Sequence, residues 1–116
     1  MENHVTEGDT AFVGNTSIEW EVVATGMKRK IMTYDDRAML VKVAFEKDAV
    51  GSLHYHYHTQ ISYVESGVFE VEIDNKKQLL TKGDVFHVSP NLVHGVVCKE
   101  EGMLIDIFSP MREDFI

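Results

Sequence analysis

Three histidines and one glutamine occur at spacings that can bring their side chains to a single metal ion. His54 and His56 are two residues apart, so on a β-strand both side chains point to the same face. Gln60 and His94 can approach the same point from neighbouring strands. Imidazole nitrogens together with one amide oxygen suit a borderline divalent ion such as Zn, Ni, Fe or Mn. The spacing therefore predicts a transition-metal site; the alternative is that these histidines only pack or lie on the surface.

His58 belongs to the same run but does not fit the same ion. Three histidines along a straight strand span roughly 13 Å at 3.3 Å per residue, which is too far for all to bind one metal. We therefore expect His58 to point elsewhere and Gln60 to reach the metal after a bend in the chain. The alternative is a β-bulge that re-aims His58.

Length and composition predict one globular domain. A chain of 116 residues with 44% apolar and 26% charged residues folds as a single unit and buries about two thirds of its unfolded surface. Residues 1–16 are interpreted as a loosely attached N-terminal arm and residues 17–116 as the domain. Cys98 is the single cysteine, which excludes an internal disulfide, and its apolar neighbours predict a core residue.

Charge and hydropathy exclude several classes of partner. The net charge is −8 and the cations are scattered, so no basic stripe can neutralise the phosphates of a nucleic acid. No apolar run approaches the roughly 18 residues that would span a bilayer, and the first residues lack a secretory signal pattern. We expect a cytoplasmic protein that acts on a small molecule, and a homodimer, because a small sandwich leaves its outer faces uncovered.

Alternation of apolar and polar residues dominates the chain. Phe69, Val71 and Ile73 alternate with polar residues, as expected for a strand with one wet face. Strands are predicted near residues 17–24, 27–33, 38–46, 52–58, 60–66, 68–74, 77–81, 84–88, 93–99 and 102–109. Any helix is short, because no segment of a dozen residues shows a sustained helical apolar face. Many short antiparallel strands indicate an all-β sandwich or barrel.

The two stretches that carry the histidines resemble the two motifs of the cupin family, over roughly residues 48–94. The first motif is matched at Asp48, His54, His56, Gln60 and Gly67, and the second at Gly83 and His94. Asp48 and Asn91 stand at glycine positions, which Asp and Asn tolerate because they accept left-handed backbone best. The resemblance implies an antiparallel jelly-roll barrel, the double-stranded β-helix.

The glutamine in the first motif and the C-terminal sequence from Asp106 to Ile116 are similar to the pectin-degradation cupins of the KdgF type. That resemblance spans most of residues 27–116. It implies conversion of 4,5-unsaturated uronate monosaccharides to their linear keto form at a divalent metal. It also implies the ligands His54, His56, Gln60 and His94, and the working residues Asp106, Phe108 and Arg112.

The working residues have a physical rationale. Asp106 interrupts an apolar strand on the same face as Phe108, and burial there would raise its pKa unless a cation lies close. A partly protonated carboxyl could deliver a proton or steer water. Arg112 could bind a substrate carboxylate through two hydrogen bonds, and Phe108 could pack on the sugar. The alternatives are an edge-strand charge against aggregation, a surface arginine paired with an adjacent acid, and plain core packing.

Two departures from the pattern concern the substrate. The relatives usually read His-Pro-His-Glu-Gln where this chain reads from His56 to Gln60 with Tyr57 and Thr59 in place of Pro and Glu. Four neutral ligands leave the ion its full charge, which suits an anionic sugar. The competing interpretations are a cupin dioxygenase or isomerase on another small molecule, and a noncatalytic sugar-binding cupin.

Overall fold

The computed structural model describes residues 11–116, and the first ten residues of the predicted N-terminal arm lie outside this range. Short 3-10 turns occupy Asn15–Ser17 and Glu113–Phe115. The strands are β1 Glu21–Ala24, β2 Met27–Asp35, β3 Ala38–Phe45, β4 Val50–His54, β5 Thr59–Ile73, β6 Lys76–Thr81, β7 Val85–Val88 and β8 His94–Ser109. No helix of this described part is long and apolar enough to cross a membrane.

The strands form one antiparallel sheet that closes into a jelly-roll barrel, as predicted. Its order is β1-β2-β3-β8-β5-β6, with β4 paired to β8 and β7 paired to β5. The predicted alternation holds in β3, where Met39, Val41, Val43 and Phe45 are all buried. Cys98 is fully buried, as predicted, and the rings of Phe45 and Phe69 meet edge to face at 5.1 Å. The core therefore lies between the two halves of the folded sheet.

Four of the predicted strands are wrong in the same way. The structure joins them in two pairs, and each pair forms one long strand. The segments 60–66 and 68–74 are parts of β5, and 93–99 and 102–109 are parts of β8. The turn-like residues between them form bulges, with register shifts between Val64 and Phe69. Gly67 has φ +85°, and a Cβ there would lie 2.6 Å from the carbonyl oxygen of Glu100. Glycine is needed here because β5 and β8 bend while staying paired.

The bend brings the two ends of the β5–β8 ribbon together. Gln60 lies near the start of β5 opposite Phe108, whereas His94 begins β8 opposite Ile73 at the far end of the ribbon. Even so, the side-chain oxygen of Gln60 lies 3.2 Å from Nε2 of His94. The ribbon therefore wraps around the barrel until its ends meet, and the predicted metal site lies at that meeting point.

Candidate metal centre

The four predicted ligands converge at one end of the barrel. His54 ends β4 and lies opposite His94 in register, while His56 lies in the loop before β5. One nitrogen from each histidine lies within 4.8 Å of one nitrogen from each of the others. Oε1 of Gln60 lies 3.1 Å from Nε2 of His56 and 3.2 Å from Nε2 of His94. Residues far apart in the sequence thus present their donor atoms to one point.

The hydrogen bonds around these side chains leave only lone pairs at the centre. Nδ1 of His54, His56 and His94 lies 2.8, 3.1 and 2.9 Å from the backbone carbonyl oxygens of Ser52, His58 and Leu92. A carbonyl can only accept, so each Nδ1 carries the hydrogen and each Nε2 presents a lone pair.

The amide of Gln60 is oriented in the same sense. Its Nε2 donates to Oγ of Ser62 at 2.9 Å, so its oxygen faces the histidines. With no hydrogen between the Gln60 oxygen and the Nε2 atoms of His56 and His94, these atoms repel one another unless a cation lies among them. The residues present therefore fit a divalent metal with three imidazole ligands and one amide ligand.

Two of the histidines are prepared to bind as neutral ligands. Burial lowers the pKa of His94 to about 4, with smaller contributions from the charges of His54, His56 and Arg112. Burial, followed by the positive charge of Arg112, also lowers the pKa of His56. Because metal ions bind the unprotonated ring, neither histidine has to release a proton at neutral pH before it binds.

His58 points away from the centre, as predicted. The chain bends after His54, and β5 begins at Thr59. The His58 ring is buried, and its Nε2 donates to Oε1 of Glu113 at 3.0 Å instead of facing the other histidines. Gln60, whose oxygen faces His56 and His94, is therefore the fourth candidate ligand, and the alternative of a bulge that re-aims His58 is not needed.

A buried serine links the candidate ligand Gln60 to Asp106. Oγ of Ser62 accepts from the Gln60 amide and donates to Oδ1 of Asp106 at 2.6 Å. Ser62 is fully buried, and it lies directly opposite Asp106 in the β5–β8 register. The sequence analysis missed this residue, although its spacing of two from Gln60 places both side chains on one strand face.

Asp106 lies inside the barrel, so the edge-strand alternative is wrong. It is paired on both sides, to Val41 of β3 and Ser62 of β5. Burial raises the pKa of Asp106 to about 6, against the opposing effects of the Ser62 hydrogen bond and the Arg112 charge. The carboxyl group is therefore partly protonated near neutral pH, as the apolar strand around it predicted.

Arg112 and Phe108 lie beside this carboxyl. Arg112 is buried, and its Nε and Nη2 donate to Asp114 at 3.0 and 2.7 Å. The guanidinium carbon lies 5.0 Å from the ring centre of Phe108 and 4.2 Å from that of Phe115. The alternative of a surface arginine paired with an adjacent acid is right about the pairing with Asp114, but the side chain is buried. Phe108 is 3% exposed and its ring lies 5.8 Å from that of His56, so it packs in the core and also contacts the site.

One cavity of about 150 Å³ connects these groups. Its walls include His54, Gln60, His94, Asp106, Phe108 and Arg112. A cavity of this volume holds a single six-membered ring. Arg29, which no sequence pattern marked, also lines it, and its Nε donates to Oε1 of Glu21 at 3.1 Å. In a chain of net charge −8, the two guanidinium groups make the cavity a place where an anion can be held.

Replacing Ser62 by alanine should weaken both groups that it connects. The variant leaves the Gln60 amide and the Asp106 carboxyl without a buried partner, so we expect the free energy of unfolding to fall by about 1–3 kcal/mol. Loss of the group that orients a ligand should lower metal affinity about 10- to 100-fold. Denaturant unfolding and competitive metal titration measure both, with Ser66→Ala in the same strand as control. Wild-type affinity in Ser62→Ala would contradict the role.

The raised pKa of Asp106 predicts a pH dependence of stability in the metal-free protein. Between pH 3.8 and about 6 the folded state holds a proton that the unfolded chain has lost. The contribution of Asp106 to the free energy of unfolding is therefore fully present below pH 3.8. This contribution, on the order of 3 kcal/mol, is lost as the pH rises through 6. Unfolding of wild type and Asp106→Asn across pH 4 to 8 should give curves that differ by this amount. Parallel curves would contradict it.

Comparison with known proteins places the barrel among cupins. The sequence profile of the cupin domain matches residues 41–108. This range includes every candidate metal ligand and both Asp106 and Phe108, whereas Arg112 lies beyond it. The chain is 50% identical over 99 residues to the pectin degradation protein KdgF of Dickeya dadantii (strain 3937). That match covers 84% of this chain and 90% of that protein.

Solved structures give the same result. A RmlC-like cupin from Shewanella frigidimarina superposes with a TM-score of 0.89 at 43% identity, covering 91% of this chain and 96% of that one. The structure of KdgF from Halomonas sp. superposes with a TM-score of 0.88 at 40% identity, covering 91% and 98% respectively. These matches extend over nearly the whole length of each chain.

Proposed function

This chain belongs to the cupin family and, within it, to the group of KdgF pectin degradation proteins, and we propose that it opens the ring of 4,5-unsaturated uronates to their linear keto form. The observation that carries the proposal is a cavity lined by three of the four candidate metal ligands, His54, Gln60 and His94, together with a buried protonatable carboxyl and a buried guanidinium. Such substrates arise when lyases cleave pectin or alginate. The cavity volume supports a monosaccharide as the substrate.

The reaction needs a proton on carbon and a water molecule on the neighbouring carbon. Asp106 donates its proton to C4, and the electron pair of the C4=C5 bond forms the new C–H bond. Water adds to C5, which the ring oxygen stabilises, and the carboxylate of Asp106 takes up the proton that the water releases. The C5 hydroxyl then gives up its proton, the bond between C5 and the ring oxygen breaks, and the ring oxygen takes up a proton, which leaves a ketone at C5 and a hydroxyl on C1.

Ser62 decides which oxygen of Asp106 carries the proton. Oδ1 accepts the single hydrogen of the Ser62 hydroxyl, whose oxygen already accepts from Gln60. The proton of a neutral Asp106 is therefore assigned to Oδ2 in this proposal. Because Oδ1 is held by Ser62, the carboxyl group keeps its orientation while Oδ2 gives up and takes back the proton.

The remaining groups hold the substrate. Arg112 has one edge of its guanidinium bound to Asp114, and we assign the Nη1 side to the uronate carboxylate. His54, His56, Gln60 and His94 would hold a divalent ion, which would supply a positive charge able to bind and polarise an oxygen of the ligand. Zn, Ni, Fe and Mn all suit this set of neutral donors. Phe108 closes the wall beside Arg112 and excludes water from it.

The test is an absorbance assay on a lyase digest of pectin or alginate. Metal-loaded protein should accelerate the loss of the ultraviolet absorbance of the conjugated double bond, relative to heat-inactivated protein, and a carbonyl reagent should detect the keto product. No acceleration with any of the four metals would overturn the proposal. Oxygen uptake with Fe(II) in the absence of this loss would instead support the dioxygenase alternative.

We also propose that two copies of the chain pair through the outer face of the sheet. Ile61 and Tyr63 of β5, Val85 of β7 and Ile107 of β8 are exposed and adjacent in register. An apolar patch of neighbouring strands is a common basis for a symmetric dimer. Light scattering of wild type and Ile107→Glu measures it: a wild-type monomer would overturn the proposal.

A further inference from the structure

The loop that carries His56 is tied to the C-terminal segment by a cluster that the proposed reaction does not use. We call Tyr57, His58 and Glu113 the C-terminal latch. Nε2 of His58 donates to Oε1 of Glu113 at 3.0 Å, and the Tyr57 hydroxyl lies 3.2 and 3.1 Å from the two oxygens of the same carboxylate. The latch thus joins two segments that lie 55 residues apart in the sequence.

The latch is ordered by packing as well as by hydrogen bonds. The Tyr57 ring stacks on that of His58 at 4.1 Å with an angle of 24° between the planes. His58 is 3% exposed, whereas the outer face of Tyr57 is open to water. The hydrogen bond from His58, with smaller contributions from Tyr57, lowers the pKa of Glu113. Glu113 therefore stays a charged acceptor, and Tyr57 covers the buried hydrogen bond from outside.

The segment that the latch holds carries Arg112. The bonds of Arg112 to Asp114 and its contact with Phe115 lie within this segment, so they fix the guanidinium relative to its own chain only. The backbone bond from Met111 to the carbonyl of Asp36 is long, at 3.5 Å. Among the described residues, the side-chain hydrogen bonds between this segment and the loop of metal ligands are those of Glu113, while Phe108 of β8 packs against Arg112 and Phe115.

We propose that Tyr57 and His58 are positioning residues that act through Glu113 and hold Arg112 over the metal centre. This inference rests on the proposed function, in which one carboxylate must reach both Arg112 and the rest of the site. The stack of Tyr57 on His58 and its bond to Glu113 rigidify the loop that carries His56. The latch thereby selects for ligands that carry a carboxylate at the correct distance from the metal.

The first experiment measures kinetics of the metal-loaded protein with the unsaturated uronate. Glu113→Ala should raise KM about 10-fold, the effect of losing hydrogen bonds to a charged group, and change kcat much less. Tyr57→Phe keeps the stack and should raise KM less, and Glu113→Gln should restore part of the loss because it still accepts hydrogen bonds. Glu100→Ala, an exposed glutamate on β8, is the matched control. Metal content should equal that of wild type in all four variants.

A double variant separates positioning from a general structural role. In the Arg112→Ala background, Glu113→Ala should raise KM no further, because the group that it positions is absent. An equal rise in both backgrounds, or an unchanged KM in Glu113→Ala with the metal still bound, would overturn the proposal.

A second readout needs no turnover. The backbone amides of Phe115 and Ile116 donate to the carbonyls of Arg112 and Glu113, and their hydrogen exchange reports the order of this segment. Exchange should be faster in Glu113→Ala than in wild type and in Glu100→Ala. Unchanged exchange would overturn the latch itself. If wild type shows no turnover, the proposed function fails, while the exchange result still decides whether the latch exists.

Discussion

Asp106→Ala is expected to lower kcat on 4,5-unsaturated uronates by about 100- to 10,000-fold while the protein still binds its metal. The carboxyl lies inside the cavity with a pKa raised by burial to about 6, so it can both give and take a proton near neutral pH. Absorbance assays with metal analysis of the same samples measure the two properties separately.

A matched variant tests whether the proton matters rather than the shape. Asp106→Asn keeps the size of the side chain and can still accept from Ser62, but it has no ionisable proton. It should therefore be as inactive as the alanine variant. An asparagine variant with a tenth or more of wild-type activity would show that Asp106 only orients other groups, and the acid would have to be sought elsewhere in the cavity.

His94→Ala is expected to abolish metal binding, activity and the stabilisation that metal gives. His94 is the buried histidine of the set, and it contacts both the Gln60 oxygen and the ring of His54. A metal at 1,000 times its Kd stabilises the folded protein by about 4 kcal/mol, so wild type should lose this amount when a chelator removes the ion. The variant should behave the same with and without metal. Thermal unfolding and metal analysis measure these changes.

The control is His87→Ala, because His87 is exposed on β7. It should keep the metal and the activity. Retention of stoichiometric metal in His94→Ala would show that His94 does not ligate the ion. A metal response that disappears in both variants would point to a general loss of the fold.

Much of the architecture could be predicted because alternation along a strand is a local property. The apolar positions of β3 and the burial of Asp106 follow from neighbours in the sequence. The long β5–β8 ribbon could not be predicted, since Gly67 indicates a turn unless its close contact with the facing strand is known. Turn-forming residues such as glycine occur both in turns and in bulges, and only the pairing of the strands in the folded protein distinguishes the two.

The site divides in the same way. The spacing of two marks His54 and His56 as a pair, but the strand predicted near residues 52–58 is wrong beyond His54, because β4 ends there and His56 lies in the loop. Gln60 follows from the bend that His58 requires. Ser62 carries no such signal, because a serine is common on any strand face and becomes informative only opposite Asp106. The bond from Tyr57 to Glu113 depends on the path of the last residues over the barrel, which no local pattern encodes.

Because the β5–β8 ribbon returns to its own beginning, an ion at the meeting point would work as a clasp on a hoop. Gln60 enters it from one side of the seam and His94, which is paired in register with His54, from the other, so ligation would cross-link chain segments that no disulfide joins. Because the four donors converge only in the folded barrel, the ion would restrain the native chain and not the unfolded one. With the ion bound, the barrel should keep its circumference. Without the ion, the seam between Gln60 and His94 is where the barrel should open first.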